Sequence, residues 1–80
     1  MTRDQILKVC RLYKEKLEKR NNNEIKGHRH ILHMLDEIQR MVIIQTELDK
    51  AYRWLGFVQG VLWAEQVYTI DEMRKHNKSN

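Results

Sequence analysis

The segment Arg53-Trp-Leu-Gly-Phe-Val-Gln-Gly-Val-Leu-Trp63 holds both tryptophans, the only phenylalanine and two of the three glycines of the chain. Trp54, Leu55, Val58, Val61 and Leu62 recur at helical spacing, while Phe57 and Trp63 fall on the flanks of that stripe. A helix apolar around most of its girth needs cover on several sides. Gly56 and Gly60 lie four residues apart, so both open the same face. Each costs about 0.5–1 kcal/mol against alanine in a helix interior. Close approach of another backbone is the simplest compensation. The segment therefore predicts a tight helix–helix crossing, and the chain advertises an assembly surface more clearly than a chemical one.

Eighty residues make one small domain, which buries only about 60–65% of its unfolded surface. With one cysteine and no proline, neither disulfides nor stiff loops can supply the remaining stability. Oligomerisation is the route left, so a homodimer or higher oligomer with helix 3 at its centre is expected. Cys10 sits on the apolar stripe of the first helix and reads as an inert buried thiol in a reducing cytoplasm. The longest uncharged run, Trp54 to Ala64, is shorter than the ~20 residues that span a bilayer. A soluble, cytoplasmic protein with no membrane partner is the expectation.

Four helices follow from the patterning. Thr2 and Gln5 form a capping-box pair ahead of Ile6, Val9, Cys10, Tyr13 and Leu17, giving helix 1 over about 3–20. The Asn21–Asn23 run stops it, and 21–27 reads as a loop. Helix 2 spans about 28–43, with Ile31, Met34, Leu35, Ile38, Met41 and Val42 on its apolar side. A break near Ile44–Gln45 precedes helix 3 over about 47–67, with Thr46 as its candidate cap. A continuous helix from His28 to Val67 is the competing reading. Thr69-Ile-Asp-Glu72 is a second capping box and starts a short helix over 70–76, with a frayed tail at 77–80. No alternating strand pattern occurs. The fold class is all-α: a small antiparallel bundle of three main helices and a short fourth.

Net charge is +4, and residues 1–40 hold ten Lys/Arg against six Asp/Glu, whereas residues 41–80 hold five of each. That excess points toward an anionic partner. Lys26, His28, Arg29 and His30 cover the start of helix 2, where open N–H groups and the positive end of the dipole can hold an anion. His33 and Arg53 extend this candidate site. His30, His33 and Glu37 lie along one side of helix 2, but no convincing fourth ligand joins them, so neither metal nor cofactor is expected. Ser79 is the only serine, no glycine-framed nucleophile occurs, and Asp36 and Glu37 point to different faces. The chain does not read as an enzyme. The candidate interface comprises Tyr52, Trp54, Gly56, Phe57, Gln59, Gly60 and Trp63, with the Gln59 amide expected to bond across a helix interface.

From about His30 to Asn77 the chain resembles a group of small phage-borne and prophage-like bacterial proteins. The resemblance is carried by His30-Ile-Leu-x-Met-Leu-Asp-Glu-Ile, by Asp49-Lys-Ala-x-Arg-Trp-Leu-Gly-Phe-Val-Gln-Gly-Val-Leu-Trp63, and by Val67-Tyr-Thr-Ile-Asp-Glu-Met-Arg. Where the group usually has a glycine or charged turn, this chain has Ile43-Ile-Gln-Thr46, and His33 stands in place of a large aromatic. The resemblance implies phage origin and a compact helical fold. The self-associating helix 3, the basic first half and the lack of catalytic equipment make the leading expectation a non-enzymatic helical oligomer that binds and modulates or blocks a host factor, in host takeover or counter-defence. The alternatives are a sponge for an anionic signalling nucleotide and, less favoured, a nucleic-acid-binding accessory protein using the lysines of helix 1.

Overall fold

The computed structural model describes residues 2–20, 27–44 and 47–78. Four helices account for them: α1 (Arg3–Glu18), α2 (His28–Ile43), α3 (Leu48–Ala64) and α4 (Ile70–Asn77), with no strand among the described residues. Thr2 caps α1 by accepting from the Gln5 N–H at 3.2 Å. Thr69 and Glu72 close a full capping box at the start of α4. Both starts satisfy N–H groups that a helix leaves open.

The long helices alternate in direction. The Leu17 carbonyl meets His28, and Lys14, three residues earlier, reaches Asp36, eight residues later. Glu37 feels Lys50, and Arg40 feels Glu47, so α2 and α3 also run oppositely. The chain therefore packs α1 on α2, α2 on α3 and α4 back on α1. Ile6, Val9, Cys10, Tyr13 and Leu17 from α1 meet Ile31, Leu35, Ile38 and Val42 from α2 in one core. Leu55, Val58 and Leu62 add the buried side of α3, and Met73 adds that of α4. Burial of each such side chain is worth about 1.5–3 kcal/mol. Trp54 and Val61 pack against this core from its rim.

Three expected boundaries move. Helix 3 stops at Ala64 rather than Val67, because Gln66 takes the left-handed conformation at φ 60°. Its N–H then donates to Trp63 and the Val67 N–H to Leu62, at 3.0 and 2.8 Å. This is a Schellman closure, sealed by Val67 over Leu62, both buried. Glutamine in place of the usual glycine hid it. Helix 1 ends at Glu18, two residues early, with the Arg20 N–H turning back to Leu17. At the other end, Asn77 belongs to α4 and not to a frayed tail.

The joint between α2 and α3 is a break: α2 ends at Ile43, and Glu47, left-handed at φ 57°, is the N-cap of α3 without a side-chain bond. Thr46, the expected cap, lies outside the described residues, as do Asn21–Lys26 of the expected loop. Gly27, at φ 73°, supplies the left-handed N-cap of α2.

Candidate functional site

The outer side of α3 is exposed along its whole length: Asp49, Arg53, Gly56, Phe57, Gly60, Trp63 and Ala64 all face solvent. Phe57 is 54% exposed and Trp63 53%. A Cβ placed on Gly56 or Gly60 would meet nothing within 4 Å. Among the described residues the two glycines thus open onto solvent, and no close crossing offsets their cost. Tyr52 is 42% exposed beside them. Trp54 differs, turning toward the core rim with the Lys50 ammonium 5.1 Å from its ring centroid.

Gln59 sits on the boundary of this face and turns inward. Its Nε2 donates to the Tyr13 hydroxyl at 2.9 Å and to Asn77 Oδ1 at 2.7 Å. The Asn77 amide returns a bond to Gln59 Oε1 at 3.3 Å. The Tyr13 hydroxyl also lies 2.9 Å from His76 Nδ1, and Gln5 Nε2 donates to the His76 carbonyl at 3.0 Å. One polar network therefore ties α1, α3 and α4. Tyr68 packs into it, its ring centroid 5.2 Å from Tyr13 and 4.8 Å from His76. Burial pushes the Tyr13 hydroxyl up to about 12, the Gln59 bond opposing it. Desolvation holds His76 below its ordinary value, against the pull of Glu72.

Sequence reasoning placed Tyr13 on an apolar stripe and missed this network. Its bonded partners stand 18 to 71 residues apart, and no local spacing links them. A tyrosine on a buried stripe with an amide in an otherwise apolar helix was the one usable signal.

One member of the candidate anion site turns inward. His28 is buried, and its Nε2 lies 2.8 Å from the Leu17 carbonyl, closing the end of α1. Arg29, His30 and His33 stay exposed on α2. No hydrogen bond, ion pair or ring contact joins Arg53 to them among the described residues, and Lys26 lies outside those residues. Among the described residues no group of three His, Cys, Asp or Glu side chains is placed to hold a metal ion, His30, His33 and Glu37 included. Cys10 is fully buried, and desolvation pushes its thiol up to about 12, which keeps it protonated and unreactive. Among the described residues no helix is long and apolar enough to cross a membrane.

Comparison with protein-family models, curated proteins and solved structures finds no match.

Proposed function

We propose that this chain is a non-enzymatic binding protein whose docking surface is the outer face of α3. One observation supports the reading: Gly56 and Gly60 open, between half-exposed Phe57 and Trp63, onto a face that no other helix of the chain covers. Two glycines in a helix interior cost about 1–2 kcal/mol together, and no contact among the described residues recovers that. A helix from another macromolecule, laid across the glycines, would recover it through close contact and cover both aromatics. Aromatic side chains and arginine are the residues that most often carry interface energy, and Arg53 completes the set.

The resemblance to phage-borne proteins makes a protein of the host cytoplasm the partner, blocked or redirected by occupancy in host takeover or counter-defence. Self-association accompanies this role, because a chain of this size has a marginal core. The nucleotide-sponge reading draws less support, since His28 is committed to the Leu17 carbonyl. Nucleic-acid binding retains only the exposed cations of α1, among them Lys8, Arg11 and Lys19.

A photo-crosslinking residue at position 57, expressed in host cells, tests the proposal against the same probe at Lys19 on α1. Position 57 should give a discrete protein adduct that Lys19 does not. Adducts from Lys19 alone would turn the binding surface to the other side of the molecule.

A further inference from the structure

The outer face of α3 is arranged about its own middle. Gly56 and Gly60 stand two residues before and two after Val58, on one line along the helix. At 3.6 residues per turn, Tyr52 and Trp63 fall on one flank of that line, six before and five after Val58. Arg53 and Ala64 fall on the other flank, five before and six after, with Phe57 between them. All of these except Val58 are exposed. An aromatic therefore answers an aromatic across the middle on one flank, and a long cation answers a small residue on the other.

The charges of this face lie in its first half only. Asp49 and Arg53 are exposed there and form no ion pair among the described residues, while Lys50, half-buried, sits over Trp54 near Glu47. The last turn of α3 carries no cation, whereas those of α1, α2 and α4 each carry at least one. Laid parallel on its own copy, the face would set Arg53 against Arg53 and Asp49 against Asp49. Laid antiparallel, it brings Arg53 level with Trp63 and Ala64 of the second copy. There the guanidinium can stack on the exposed indole and approach the negative end of the helix dipole. Asp49, a turn earlier, falls beyond the end of the facing helix.

We infer that the resting occupant of this face is a second copy of the chain, its α3 packed antiparallel about a twofold axis level with Val58. Gly56 of each copy then faces Gly60 of the other, where the missing Cβ atoms let the backbones approach. Tyr52 of each copy meets Trp63 of the other, and the two Phe57 rings meet beside the axis. Every contact is made twice, as in any isologous pair, and the dimer closes with no face left to add a third chain. The inference rests on the reading of this face as a docking surface, and it adds a regulation. A host helix competes with the second copy, so the separated chain is the form that binds it, and self-association sets how much of the face is free.

Sedimentation velocity of the full-length chain over a wide concentration range tests it, with circular dichroism confirming that each variant is folded. The wild type should reach the mass of two chains and stop there. Gly60→Leu should hold the mass near that of one chain without lowering the melt of dilute protein, because the position opens onto solvent. Arg53→Glu, at an exposed site clear of the core, should weaken assembly at least tenfold and covers the case in which Gly60→Leu unfolds the chain. A spin label on Lys50→Cys reads the direction of packing, since Cys10 is fully buried and out of the label's reach. Antiparallel helices centred on Val58 set the two labelled backbones about 24 Å apart along the axis, at a rise of about 1.5 Å per residue. A parallel pair leaves only the helix separation of about 8–10 Å. A wild type that stays monomeric, a mass that climbs beyond two chains, or the short label distance overturns the inference. So do Gly60→Leu and Arg53→Glu that both assemble as the wild type does. A monomeric wild type that still gives a host adduct at position 57 drops the dimer and keeps the docking face. A dimer whose only adduct at position 57 is with itself keeps the inference and removes the host partner.

Discussion

The hydroxyl of Tyr13 and the side-chain amide of Gln59 meet at 2.9 Å, across 46 residues of sequence. This contact joins α1 to α3, whereas the main packing of those helices runs through α2. It also fixes how α3 is rotated. With Gln59 held inward, Gly56, Phe57, Gly60 and Trp63 are held outward, because residues three and four apart on a helix share or flank a face. The exposed face proposed for binding is thus set by a part-buried hydrogen bond from the same helix to α1.

Tyr13→Phe should expose the value of this junction. The substitution keeps the ring contacts with Tyr68 and His76 but leaves the Gln59 amide one acceptor short and Nδ1 of His76 without its neighbour. Stranding a buried polar group costs about 1–3 kcal/mol. Urea denaturation should show a loss in that range. For a domain of this size the melting temperature should fall by roughly 4–8 °C per kcal/mol.

Stability should depend on pH through His76. Gln59 donates to the Tyr13 oxygen, so the hydroxyl proton is best used toward Nδ1, holding the imidazole neutral with its proton on Nε2. Desolvation sets the folded value below the ordinary 6.5, so between the two the unfolded chain binds the extra proton more readily. Stability is then full above about 6.5 and declines as pH falls through the depressed folded value. Denaturation midpoints measured across this window should show the decline, and His76→Gln should flatten it.

His28→Ala should act as a stability variant, not as a binding variant. The imidazole satisfies the Leu17 carbonyl at the buried end of α1, leaving it to backbone N–H groups such as that of Arg20 when removed. The expected loss is about 1–2 kcal/mol by urea titration. Affinity for inorganic phosphate should not change. A fall in phosphate affinity with unaltered stability would return His28 to an anion site.

Gly56→Ala and Gly60→Ala separate the needs of the monomer from those of binding. Neither added methyl meets an atom within 4 Å, so each should stabilise the dilute chain by about 0.5–1 kcal/mol through helix propensity alone. The same methyls hold an incoming helix away, so partner affinity should fall as stability rises. Thermal melts and binding titrations on the same samples would show opposite signs.

Much of the architecture was legible because it is local. Ile6, Val9, Cys10, Tyr13 and Leu17 follow one helical stripe, and all five are buried. Thr2 and Thr69 announce the starts of α1 and α4 by side-chain chemistry that needs only the next three residues. The end of α3 was not legible, since Gln66 adopts a left-handed turn usually given to glycine and carries no mark of it. The surface was legible in part. The glycine spacing placed both glycines on one face and predicted a close crossing there, but whether this chain or another molecule supplies it depends on how α3 is rotated. That rotation rests on Tyr13 and Asn77, far from Gln59 in sequence. His28 misled for a related reason: among basic neighbours it reads as a surface cation, yet the packing of α2 on α1 turns it toward a carbonyl.

The central claim is that another macromolecule docks on the outer face of α3. Isothermal titration of the host protein identified through position 57, against the wild type, Phe57→Glu and Arg11→Glu, tests it most directly. Phe57→Glu should weaken binding at least 30-fold, about the 2 kcal/mol of an interface anchor, while Arg11→Glu leaves the affinity per chain unchanged. Equal affinity for the wild type and Phe57→Glu would contradict it.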